Sequence, residues 1–196
     1  DQQQLTAEIR TALRDAGHLH GPDTAVNVLS PVWIDSKNRH QRDTYRAGMV
    51  LEQWDDKDKT MHRYTIERVA DKKNALVLSS EQGQRLGIKI RELDSSWSLF
   101  ETRQIELATG DSLRVLGRDA DGALKAQQTL SVLGVHQGQL HVSTPAGELQ
   151  LATDRALKLD HNYVAGIGAT VSKDATVLAA MSARQMTGIT LNQLAR

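Results

Sequence analysis

Two stretches of this chain align on each other without a gap. Residues 65–83 lie on residues 129–147: Thr65, Leu76, Ser79 and Gly83 meet Thr129, Leu140, Ser143 and Gly147, while Ile66, Val69 and Leu78 meet Leu130, Leu133 and Val142. Each stretch reads as a strand, a turn, a second strand and a glycine turn into a third. Upstream of each, a glycine opens a further strand, Gly48-Met49-Val50-Leu51 and Gly110-Asp111-Ser112-Leu113-Arg114-Val115. Alternation in Tyr64–Val69 and in Gln139–Ser143 turns one strand face inward and one outward. Any two antiparallel meanders share alternation and glycine turns, but the matched positions favour a tandem repeat. Short, strongly bent strands closed on themselves describe an SH3-like barrel, which removes its open edges by closure.

The flanks differ from this β centre. Leu5, Ile9, Ala12, Leu13 and Ala16 recur at spacings of three and four before Gly17, which predicts an amphipathic helix with a glycine cap. Ala25–Leu29 reads as a short strand broken by Ser30-Pro31, because proline lacks an amide donor. Residues 35–46 are predicted to face solvent. After Leu151 the pattern is mixed, with a strand expected at Ala175–Ala180 and a helix from Ile189. The expected class is α+β, mainly β with flanking helices. Its parts are an N-terminal helix, strand and basic linker (1–46), a first SH3-like unit (47–100), a second (101–153) and a small α/β remnant (154–196).

Chemistry-bearing patterns are sparse. The chain has no cysteine, which removes disulfides, thiolate zinc sites and cysteine nucleophiles. No GxxxxGK[ST] loop is present to cradle a nucleotide phosphate, and Gly166-Ile167-Gly168 lacks the third glycine of a dinucleotide fingerprint. The seven histidines are scattered. No apolar run reaches the ~18 residues of a membrane helix. The reading is a binding module without catalytic residues, metal or cofactor.

Lysine plus arginine and aspartate plus glutamate number 24 each, so any grip on nucleic acid has to be local. The strongest local feature is the stripe Lys37, Arg39, Arg42 and Arg46, flanked by Trp33 and Tyr45 and followed by Trp54. Cations interleaved with stacking rings are what single-stranded DNA binding uses. Four phosphate contacts would give a log–log salt dependence with a slope near ~3.

Three longer segments, Leu29–Ser36 (LSPVWIDS), Tyr45–Trp54 (YRAGMVLEQW) and Leu93–Phe100 (LDSSWSLF), resemble the TraI family of conjugative relaxase-helicases of F-like plasmids. The resemblance extends from about Leu5 to Arg196. It implies an internal, helicase-derived region whose barrels correspond to the 2B and 2B-like insertions, cut from a longer polypeptide. Where that family carries the motor signature T-x-H-x-x-Q-G, this chain has Gly166, Gly168, Val171 and Ser172. The resemblance also implies a translocation signal for type IV secretion. Gly110, Asp111, Leu113, Arg114 and Val115 match five positions of the pattern G-[ED]-R-[LM]-R-[VF]-T, from which Ser112 and Leu116 depart.

The partners implied are the secretion coupling protein, single-stranded plasmid DNA and other domains of the same polypeptide. The implied location is the donor cytoplasm, followed by transfer to the recipient. ATP, magnesium and the relaxase's divalent metal would belong to other domains of the parent. The competing expectation is a free-standing SH3-like module for nucleic acid or peptide, unrelated to conjugation.

Overall fold

A computed structural model describes residues 1–118 and 122–164. The C-terminal strand and helix expected beyond Ala175, and the residues Gly166, Gly168, Val171 and Ser172, lie outside the described residues.

Helix α1 (Gln2–Asp15) opens with Asp1 as N-cap, its carboxylate accepting from the Gln3 amide at 2.9 Å. No side chain of α1 is buried. Strand β1 (His20–Val32) follows and runs through the expected break at Pro31, which sits opposite Phe100. Proline is tolerated there because β1 lies at the edge of its sheet among the described residues, and the outward side of β1 at residue 31 has no described strand to receive an amide.

The remaining described strands are β2 (Val50–Asp55), β3 (Thr60–Ala70), β4 (Ala75–Ser80), β5 (Arg85–Lys89), β6 (Trp97–Thr109), β7 (Ser112–Val115), β8 (Thr129–His136), β9 (Gln139–Thr144), β10 (Gly147–Ala152) and β11 (Leu159–His161). They form two curled antiparallel sheets, ordered β1-β6-β2-β3-β4-β5 and β10-β9-β8-β7-β11.

The long antiparallel pair of β1 and β6 serves both sheets. Trp97 and Leu99 at the start of β6 join Tyr45, Met49, Leu51, Ile66, Leu76, Leu78, Ile90 and Leu93 in one core. Val26, Val28, Ile105 and Leu107 join Leu113, Val115, Leu130, Val132, Leu140, Val142 and Leu159 in the other. A boundary drawn between residues 100 and 101 therefore falls inside β6. The backbone of Leu157 bonds along the outer edge of β1, accepting from Leu29 at 2.8 Å and donating to Asn27 at 3.1 Å.

The sequence repeat has a structural counterpart, with one shift. Gly48 donates to Ile66 and Ile66 to Met49, each at 2.8 Å; Gly110 donates to Val132 and Val132 to Asp111, each at 2.9 Å. A β-bulge follows in both cases, between Ile66 and Arg68 and between Val132 and Gly134. Ile66 thus corresponds to Val132, two residues on from the Leu130 of the gapless alignment.

Loop length explains the slip. Strands β3 and β4 are joined by Asp71–Asn74, a 3-10 turn ending in left-handed Asn74 (φ +48°). Strands β8 and β9 need only Gln137 and Gly138, at φ +50° and +75°. A shift of two residues keeps every side chain on its face, so alternation alone does not reveal it.

Candidate functional site

The Gly110–Val115 segment is the opening turn and first strand of the second unit. Gly110 has φ +100°, and a Cβ there would stand 2.1 Å from the His18 carbonyl oxygen. Leu113 and Val115 are fully buried in the core. Asp111 is fully buried too, and its carboxylate is well supplied with donors: it accepts from Arg10 Nε at 3.0 Å and Arg10 Nη2 at 2.8 Å, from the Ala108 amide at 2.8 Å and from the Tyr163 hydroxyl at 2.8 Å. Burial and the adjoining Asp111 charge push the Tyr163 hydroxyl well above its usual range, so it stays a donor. Of the five motif residues, Arg114 alone points a charged side chain off the core side of its strand, and it is half-buried. Its Nε is buried without a partner among the described residues.

The basic stripe divides in the same way. Arg39 donates to the carbonyls of Asp94 and Trp97 at 2.6 and 3.3 Å, Arg42 to that of Asp71 at 2.9 Å, and Arg46 pairs with Glu101 at 2.7 Å. Tyr45 is 3% exposed and packs in the first core, its hydroxyl donating to the Arg39 carbonyl at 2.6 Å. Its ring offers no free face, and burial pushes the hydroxyl up to about 12. Trp33 is 84% exposed, and the ammonium of Lys37, also exposed, makes no hydrogen bond or ion pair among the described residues. Two of the six stripe residues thus present unengaged chemistry to solvent.

A third cluster escaped the sequence reading. Glu52 on β2 is 2% exposed and pairs with Arg63 of β3 at 2.8 Å and with Lys158. Lys158 also donates to the Arg118 carbonyl at 2.8 Å and stands 5.1 Å from the Phe100 ring centroid. Arg63 Nη1 donates to the Ala156 carbonyl at 2.9 Å, tying the first sheet to the segment that leads into β11. The available signal was a charged residue in the apolar run Val50-Leu51-Glu52; its two partners lie 11 and 106 positions away in sequence.

Among the described residues no group of three or more His, Asp or Glu side chains is placed to hold a metal. No described helix is long and apolar enough to cross a membrane.

Two bulged β-units on one shared strand pair, with most buried charges paired and a few unengaged surface groups, define a two-unit β-module. The comparisons make this specific. Residues 28–107, from the latter half of β1 to near the end of β6, match the family model for the DNA relaxase TraI 2B/2B-like domain. Two Escherichia coli proteins called multifunctional conjugation protein TraI, one of them from strain K12, are 38% identical over 203 residues, which cover all of this chain. The chain spans 12% of the length of each. These matches support a TraI-derived 2B region within the chain.

Proposed function

We propose that this module is a non-catalytic recognition domain of a conjugative relaxase-helicase, built of two SH3-like barrels of the helicase 2B type. It acts as a translocation signal for type IV secretion and contributes to single-stranded DNA binding. The observation that carries this reading is the identity to the conjugation proteins along the whole chain, not over one motif. Nicking, nucleotide hydrolysis and their metal ions belong, in this reading, to other domains of the parent polypeptide. The same reading has the module reach the recipient cell after engaging the coupling protein.

The geometry favours a signal carried by the folded surface. A partner cannot touch Asp111, Leu113 or Val115 without opening the second unit, whereas Arg114 is half-exposed. For DNA, Trp33 is the stacking group and Lys37 the phosphate contact; Arg39, Arg42 and Arg46 hold the loop in shape.

Secretion of a reporter fused to residues 1–196 tests the signal, with Arg114→Ala compared with a Trp33→Ala, Lys37→Ala pair. Loss with Arg114→Ala places the signal on the second unit, and no secretion of the unmutated fusion rejects the reading. In a binding assay with an oligothymidine at low salt, Trp33→Ala is expected to weaken affinity by roughly tenfold, since stacking on one aromatic is worth about 1–3 kcal/mol per base. Unchanged affinity removes Trp33 from the interface.

A further inference from the structure

Two cations converge on one carboxylate where the units meet. Arg63 and Lys158 share Glu52, and all three are buried or nearly so, with side-chain exposures of 11%, 5% and 2%. The trio therefore carries a surplus positive charge. Glu81 does not balance it, being held by Arg155 at 2.6 Å. Arg63 uses Nε on Glu52 and Nη1 on the Ala156 carbonyl, while its Nη2 makes no hydrogen bond among the described residues. Among the described residues no carboxylate beyond Glu52 pairs with this charge, so an anion delivered to Arg63 Nη2 gains a charge-assisted hydrogen bond.

Beside this trio lies a cleft of about 190 Å³, with Arg63 and Lys158 in its lining and Leu149, Leu151, Ala152 and Leu157 along its walls. That is below the roughly 300–1,000 Å³ of a site for a drug-sized ligand, and it suits one side chain. The wall residues Leu149–Ala152 belong to β10, which among the described residues is paired on one side only, with β9. An open strand edge next to an apolar cleft is the arrangement that accepts an added peptide strand.

We propose that this cleft binds an extended peptide that adds to the β10 edge and inserts an aspartate or glutamate side chain toward Arg63 Nη2. The charge selects an acidic residue, the apolar walls select its β-branched or leucine neighbours, and the one-sided pairing of β10 supplies main-chain contacts. The proposal stands independently of the DNA and secretion roles.

The probe is the N-acetylated, C-amidated hexapeptide Val-Thr-Leu-Glu-Val-Thr, titrated into the whole chain and followed by amide chemical shifts. The expected result is shifts at Leu149–Ala152 and affinity at least tenfold higher than for the same peptide with Gln in place of Glu. Arg63→Gln should bring the two peptides to equal affinity. Because Arg63→Gln also disturbs Glu52, Ala152→Trp at the exposed rim provides the second variant: it should abolish binding of both peptides and leave the thermal midpoint within about 2 °C. Equal affinity for the Glu and Gln peptides, no binding of either, or binding that survives Ala152→Trp would overturn the proposal. So would stronger perturbation of Leu149–Ala152 by an oligothymidine than by the Glu peptide.

Discussion

The opening turns of the two units are the same turn built from different chemistry. In the first, the Arg46 amide donates to Met49 Sδ at 3.3 Å and the Met49 amide to the Arg46 carbonyl at 3.2 Å. In the second, the Ala108 amide donates to the Asp111 carboxylate at 2.8 Å and the Asp111 amide to the Ala108 carbonyl at 3.1 Å. A thioether makes no further demand on its surroundings. A buried carboxylate does, and Arg10 from α1 and Tyr163 from beyond β11 meet it. The first turn is thus closed by residues adjacent to it in sequence, while the second recruits the chain's N-terminal helix and the segment after β11. A helix with no buried side chain is held in place by ion pairs, Arg10 with Asp111 and Asp23 and Arg14 with Asp23.

The largest effect expected from this contrast is at the two glycines. Alanine at Gly48, with φ +94° and open space around the added carbon, should cost about 1–2 kcal/mol. Alanine at Gly110 meets the His18 carbonyl as well as the same backbone strain, so a loss above ~4 kcal/mol is expected. Urea unfolding of the two variants measures the difference. Equal losses would mean that the approach of His18 to the second turn is not needed for stability.

Next comes the carboxylate itself. Asp111→Ala leaves Arg10 without its buried partner and should cost about 3–5 kcal/mol, against less than ~1.5 kcal/mol for Met49→Leu. Converting the second turn to the form of the first, with Asp111→Met and Arg10→Met together, should recover most of that loss, because the introduced thioether can accept from the Ala108 amide as Met49 does from Arg46. If the double variant is no more stable than Asp111→Ala, the ion pair is not the element that distinguishes the units.

The smallest effect concerns acid. Burial raises the Asp23 carboxyl, but hydrogen bonds and charge from Arg10 and Arg14 outweigh it and hold the group below its usual value. A group depressed in the folded state contributes its stability in full above the unfolded value, about 4, and loses it as pH falls through the folded value. Exposure limits the contribution to less than ~1 kcal/mol. Amide exchange in α1 should therefore speed up between pH 5 and pH 3 relative to the first unit, and Asp23→Asn should remove that difference. Unchanged relative rates in the Asn variant would show that other groups dock the helix.

Much of the β architecture was readable, because glycine turns and alternation are local. Gly48 and Gly110 both open strands where expected, and the Tyr64–Val69 and Gln139–Ser143 segments both lie in strands. Two readings failed for identifiable reasons. Pro31 ends no strand, since edge position is a property of the sheet and not of the dipeptide. The gapless repeat is displaced by two along β3 and β8, since a period of two is blind to a two-residue loop difference. The surface reading of the basic stripe was only partly legible: Tyr45 and Arg39 look alike from the sequence whether they face solvent or hold a loop against Trp97 and Asp94.

By itself the chain determined where strands begin, which faces are apolar and that a duplicated β-module with no cysteine chemistry would result. Only the tertiary structure decided that Asp111 and Glu52 are interior charges and Trp33 an exterior ring. Periodicity and turn chemistry act over a few residues, whereas a charge becomes tolerable inside only when its partners arrive, here from 101 positions away for Arg10 and 106 for Lys158.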